Sequence, residues 1–134
     1  MTLLIHKGGE YCSLDDLRDI PLPQETRTYK PVSHYDLAKN IAEVSSGLLR
    51  GYQLEKAQYG LARDGNQMFG IHSYRNGISS SMGLSIGFRN SYDKSMSVGI
   101  AIGASVFVCD NLALTGEIAI MRKHTANVWN DLEE

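Results

Sequence analysis

The stretch LSIGFRNSYDKSMSVGIAIG, residues 84–103, decides how this chain folds. Leu84, Ile86 and Phe88 alternate with Ser85, Gly87 and Arg89. Met96, Val98, Ile100 and Ile102 alternate with Ser97, Gly99, Ala101 and Gly103. Alternation with period two is the mark of a strand that buries one face. The link between the runs, Arg89 to Lys94, is built of turn-forming residues such as Asn90, Ser91 and Asp93. The two runs therefore read as neighbouring antiparallel strands.

The same reading extends in both directions. Upstream, Tyr52 and Leu54 open a strand-like stretch that Asp64-Gly65 interrupts, and Met68 to Tyr74 leads to Asn76-Gly77. Both dipeptides favour the tight turns of hairpins. Downstream, the long strand is expected to continue through Val106, Phe107 and Val108 to a turn at Cys109-Asp110-Asn111. A last strand then uses Leu112, Leu114, Ile118 and Ile120. On one face, Gly83, Gly87, Gly99, Ala101 and Gly103 sit on neighbouring strands. Glycine weakens a strand unless something must come close to it. That face is thus a tight seat for a helix, a region of strong bending, or a shallow trough for an extended ligand or a partner chain.

Before the strands, Ser33 is a good N-cap, Asp36 is the acid of a first helical turn, and Gly51 supplies a stop. Between them Leu37, Ile41, Val44 and Leu48 recur at helical spacing, opposite Lys39, Asn40, Glu43 and Arg50. An amphipathic helix of this kind lies on a sheet. At the far end, Thr125 caps an expected short helix through Val128, Trp129 and Leu132, whose tryptophan needs a packing partner. Residues 1–32 read as an N-terminal arm that lies over the domain. In that arm Ser13-Leu14-Asp15-Asp16-Leu17 can start a helical turn, and Pro21, Pro23 and Pro31 keep the chain extended. The expected architecture is one α+β domain over residues 33–134. It is an antiparallel meander sheet of about five strands, with one long N-terminal helix and a short C-terminal helix packed on it.

Composition bounds what such a domain can be. With 134 residues, 43% hydrophobic and 21% charged, the chain is sized for one core and is too apolar for disorder. No run reaches the roughly 20 apolar residues of a spanning helix, and the first residues lack a signal-peptide pattern. Two scattered cysteines, Cys12 and Cys109, make neither a disulfide framework nor a four-cysteine zinc site, which fits a reducing, cytoplasmic setting. The net charge is −2, with acidic ends flanking a mildly basic middle, residues 50–125. That excess is too small to argue nucleic-acid binding by itself.

Three motifs together resemble a known family: Arg89-Asn90-Ser91-Tyr92-Asp93-Lys94-Ser95, then Val106-Phe107-Val108-Cys109-Asp110-Asn111, then Arg122-Lys123-His124-Thr125. His34-Tyr35 at a helix start and Met68-Phe69 at a strand start add to the set. It is similar to the phage- and plasmid-related proteins described as domain of unknown function 932, over roughly residues 30 to 129. Members of that family are longer and continue into a helical region, so this chain corresponds to a shortened one. The resemblance implies a mobile element in a bacterial host and implies no established activity.

In a meander, Arg89 to Lys94 and Arg122 to His124 fall at one end of the sheet. Arg89, Asn90, Ser91, Lys94, Arg122, Lys123 and His124 are therefore the candidate ligand-binding set, rich in donors suited to phosphate or carboxylate. The alternative for Asn90, Ser91 and Asp93 is side-chain-to-backbone bonding within a turn. Catalytic patterns are weaker. Cys109 and His124 could form a nucleophile and base, but Cys109 follows an apolar run where a buried thiol is ordinary. His6, His34, His72 and His124 lack metal-ligand spacing, no phosphate loop is present, and no cofactor is called for.

Three non-enzymatic readings follow. The first is a protein that binds single-stranded nucleic acid along a basic sheet face, with Tyr52, Tyr59, Tyr74 or Tyr92 as stacking platforms. The second is an inhibitor or regulator that binds a host defence complex. The third is an assembly module whose strand edges pair between copies, making a homo-oligomer.

Overall fold

The computed structural model describes residues 2–5, 8–26, 30–76, 83–110 and 113–122. In chain order the elements are β1 (Thr2–Leu4), β2 (Glu10–Cys12), α1 (Leu14–Arg18), α2 (His34–Leu48), β3 (Tyr52–Ala62), β4 (Gln67–Asn76) and β5 (Gly83–Ser91). They continue with β6 (Val98–Gly103), β7 (Phe107–Cys109), β8 (Leu114–Thr115) and β9 (Ile118–Arg122). The class is α+β, and the main sheet is antiparallel, with the strands in the order β2-β3-β4-β5-β6-β9. Five of these strands form the expected meander. The sixth, β2, comes from the N-terminal segment and pairs with the last residues of β3, Cys12 opposite Tyr59.

The first 32 residues thus supply two strands and a helix. In α1, Ser13 caps the helix and Asp16 reaches back to the Ser13 amide, the reciprocal arrangement its spacing calls for. Leu17 on α1 is fully buried, and Arg18 bonds the Tyr35 hydroxyl at 2.6 Å, joining α1 to α2. The expectation of one long N-terminal helix is corrected to two helices, a short α1 and the long α2. The latter starts at Ser33 as expected and is followed by Gly51 at φ +82°. Its buried positions are His34, Leu37, Ala38, Ile41 and Ser45. Leu48, expected in the apolar stripe, runs off the sheet and is 73% exposed. The expected helix from Thr125 to Leu132 lies outside the described residues.

Each face of the main sheet is covered. On one side Leu17, Val32, Leu37, Ala38 and Ile41 pack on Tyr59, Met68, Tyr74, Ile86, Phe88, Val98 and Ile100. On the other, Leu3, Val106, Val108 and Leu114 pack on Ala62, Phe69, Ile71 and Ala101. The cover there is a second, three-stranded sheet in the order β1-β7-β8, with β1 parallel to β7. The long strand expected from Met96 to Cys109 is therefore two strands. It turns away after Gly103, where Glu117 accepts the Ala104 amide at 3.1 Å, and the second half folds back over the sheet it left. The expected last strand divides in the same way, into β8 in the small sheet and β9 in the large one.

At Gly87 and Ala101 the small-residue face seats the chain's own second sheet, while Gly83 is exposed. A Cβ at Gly87 would lie 2.5 Å from Val108 Cγ2 and 2.6 Å from Val106 Cγ1, far inside van der Waals contact. Ala101, paired with Gly87, is fully buried in the same layer. Small residues in β5 and β6 are what lets the two sheets approach. Gly87→Ala is expected to lower unfolding stability by about 1–3 kcal/mol through overpacking. Gly47→Ala, on the exposed side of α2 with nothing within 4 Å of the added methyl, is expected to raise it by roughly 0.5–1 kcal/mol. Urea unfolding of the two variants checks the opposite signs, and a neutral Gly87→Ala would contradict the packing.

Candidate functional site

Arg122 pairs with Val98, so it does share a sheet end with residues 89–94. Lys123 and His124 lie outside the described residues. The remaining members do not converge on one surface. Arg89 and Ser91 point to the small-sheet side of β5, and Asn90, between them, points to the helix side. Arg89 is half-buried, and burial lowers its pKa. Lys94 is exposed in the loop at φ +61°. Nearby charges are of both signs: Arg63 lies 3.6 Å from Asp93, and Asp64 is exposed in the same turn as Arg63.

Asn90 and Ser91 are fully buried and hold the fold. Ser91 donates from Oγ to the Met96 carbonyl at 2.9 Å, and Asp93 accepts the Ser95 amide at 3.0 Å, closing the β5–β6 loop. Asn90 belongs to a buried junction centred on His34. Its Nδ2 donates to the Val32 carbonyl at 2.5 Å and lies 3.0 Å from His34 Nδ1. His34 Nε2 lies 2.9 Å from the Gly65 carbonyl. A carbonyl needs a donor and an amide nitrogen needs an acceptor, so the imidazole carries its proton on Nε2. The Tyr92 ring stacks on His34 at 3.6 Å between centroids, and its hydroxyl accepts the His34 amide at 2.7 Å. One histidine thereby ties the start of α2, the β3–β4 turn and the β5–β6 loop. The His34-Tyr35 and Asn90-Ser91-Tyr92 motifs are visible in sequence, but nothing there says that they meet.

A second buried polar group sits between sheet and helices. Tyr59 Oη and His72 Nε2 are 2.6 Å apart, and the His72 ring packs edge-on against Phe88 and Tyr74. Gly70, opposite Phe88, leaves room for that ring, since a Cβ there would run into it. Burial pushes His72 down to about 4 and Tyr59 up to about 12, so both are neutral near pH 7. Tyr74 is also raised by burial. These facts correct the expectation of stacking platforms: Tyr59, Tyr74 and Tyr92 are buried, and Tyr52 packs against the helix-side core.

Elsewhere, a cleft of about 490 Å³ opens between β2, α1 and the β3–β4 turn, lined by Glu10, Cys12, Asp16, Asp19, Arg63 and Asp64 among others. Burial, then the Asp16 carboxylate, pushes the Cys12 thiol up to about 11, so it is protonated at neutral pH and a poor nucleophile. Cys109 is buried, with its Sγ 3.7 Å from Asp110 Oδ1. Among the described residues, no three His, Cys, Asp or Glu side chains are grouped to hold a metal ion.

What the described residues leave open is an edge. Strand β2 covers only Tyr59 to Leu61 of β3. Residues 52–58 of β3 pair with β4 on one side and with no described strand on the other. Gln53 to Ala57 are all exposed, and Leu54 is 48% exposed. The strand carries one irregularity, an extra residue at Glu55 between the Leu54 and Lys56 pairings. No protein-family model, curated protein or solved structure matches the chain. The mobile-element reading thus rests on the sequence motifs alone.

Two outcomes test the buried polar groups. His72 has a folded pKa of about 4 against 6.5 unfolded. Below pH 6.5 the unfolded chain takes up a proton that the folded chain refuses. Stability is therefore lost as pH falls from 6.5 toward 4, by up to roughly 3 kcal/mol. His72→Gln is expected to flatten that loss in urea titrations at several pH values, and an unchanged slope would contradict the assignment. Asn90→Ala leaves the His34 and Val32 acceptors unmatched and is expected to cost about 2–4 kcal/mol at any pH. A cost below about 0.5 kcal/mol would remove the junction from its central place.

Proposed function

We propose that this chain is a non-enzymatic binding module whose working surface is the free edge of β3, which takes up an extended polypeptide as a further strand. The observation that carries this reading is the seven-residue edge, Tyr52 to Gln58, which no described strand pairs, beside a sheet whose faces are covered. An unpaired strand edge presents a row of amide and carbonyl groups, and strand addition satisfies them with affinity from the main chain. Side chains give the selectivity. Leu54 sits on the helix side opposite Tyr74, and exposed Leu48 ends the helix that leads into the strand. Both offer apolar contact to alternate residues of an incoming strand.

The nucleic-acid reading loses its means of attachment. Stacking on single strands needs exposed aromatic faces along a cationic groove. Here three of the four tyrosines are buried, and the charges at the sheet end are of mixed sign. Of the readings that involve another protein, the assembly module is the one that pairs strand edges, and such an edge can also take up a segment of a host protein.

Selection of phage-displayed random heptapeptides on the immobilised chain tests the proposal. Enriched peptides are expected to alternate apolar and polar residues. They are expected to lose at least about tenfold in affinity for Leu54→Lys, equivalent to about 1.4 kcal/mol. Leu22→Lys, at an exposed leucine outside β3, should bind them as the wild type does. Absence of enrichment, or peptides indifferent to Leu54→Lys, would overturn the edge as the binding surface.

A further inference from the structure

We infer that the strand added to the β3 edge is the β3 edge of a second copy of this chain, joined about a two-fold axis that pairs Glu55 with Lys56 of the other copy. This rests on the strand-addition reading above and names its partner. In an antiparallel pair of identical strands, residue i faces residue j with a constant sum. Side chains directly opposite must lie on the same face of the joined sheet. The edge reads Gln53-Leu54-Glu55-Lys56-Ala57-Gln58. Centring the axis between Glu55 and Lys56 sets Gln53 against Gln58, Leu54 against Ala57, and Glu55 against Lys56, each twice. Polar meets polar, apolar meets apolar, and the two charged pairs are opposite in sign. Shifting the axis onto Glu55 or onto Lys56 sets like charges against each other, which disfavours both neighbouring registers.

In a regular strand this register is forbidden, because residues such as Leu54 and Ala57, three apart, point to opposite faces. The extra residue at Glu55 removes the obstacle. Leu54 pairs with Tyr74 and Ala57 with His72, both on the helix side, so the bulge brings them onto one face. Gln53 pairs with Arg75 and Gln58 with Ile71, both on the other face. Glu55 bonds Arg75, and Lys56 pairs with Ser73, which sets these two charges on that same second face. All three pairings of the two-fold register are thus matched in face as well as in chemistry. A bulge with charges flanking it is also a device that discourages promiscuous edge pairing. Here the same device admits one partner, a strand with the identical bulge and the reversed charge order.

Charge reversal tests this directly. Sedimentation equilibrium on the full chain is expected to show a concentration-dependent monomer–dimer equilibrium. Glu55→Lys alone sets lysine against lysine twice, and Lys56→Glu alone sets glutamate against glutamate twice. Each is expected to weaken self-association at least tenfold. Mixed one to one, the two variants again form two opposite-charge pairs and are expected to associate as heterodimers. That recovery also shows that both variants are folded, which circular dichroism would confirm. A wild-type chain that stays monomeric at all concentrations overturns the second copy as occupant, and the heptapeptide selection then decides separately whether the edge binds strands at all. A wild-type dimer that neither reversal weakens, or a mixture that does not recover association, overturns this interface.

Discussion

Gly87 and Ala101 form the shelf on which the rest of the structure depends. With no side chain at one position and a single methyl at the other, β5 and β6 present a flat face. Val106 and Val108 of the returning chain drop onto it. Burial of those residues and of Leu3 and Leu114 draws the chain away from β6, creates β7 and β8, and recruits the N-terminal β1 as a parallel neighbour. The proposed function rests on this packing. Among the described residues, helices cover one face of the main sheet and a second sheet covers the other, so the proposed recognition surface is an edge.

The polar residues follow the same logic. In sequence, Asn90 and Ser91 read as ligand-binding donors near a turn, and Tyr92 reads as a stacking platform. In the folded chain their hydrogen-bonding capacity is spent on backbone groups that would otherwise be buried without partners. Tyr59 and His72 Nε2 bond each other beneath the helices, while His72 Nδ1 is buried without a partner. Among the described residues, the surface proposed for a partner is the main chain of β3 with Leu54, Glu55 and Lys56 on it.

Much of the fold is legible in the sequence, and the boundary of legibility is physical. Alternation located β3, β4, β5 and β6, and the Ser33 and Ser13 caps marked both helix starts, because each signal lies within a few residues of the chain. The break at Gly103 was not legible, since residues 104–108 are as apolar as a continuing strand and only distant Glu117, Leu3 and Leu4 show where they go. The small-residue face was noticed but could not be assigned, because its cover is the chain's own later segment. The described members of the candidate cluster, Arg89 to Ser91, Lys94 and Arg122, share one sheet end, as the meander topology implies. That Asn90 and Ser91 are buried depends on α2 and the β3–β4 turn meeting there, which no local pattern records. That no described strand pairs with residues 52–58 of β3 has no sequence signal either, as it follows from β2 being three residues long.

Amide hydrogen exchange on the full chain at low and high protein concentration tests the central claim most directly. At low concentration, residues 53–58 are expected to exchange faster than Phe69 to Tyr74 on the neighbouring, doubly paired strand. At high concentration the 53–58 segment alone is expected to gain protection as its free edge is taken up. Protection of 53–58 that already equals that of β4 at low concentration would mean the edge is covered within the chain and would contradict the account.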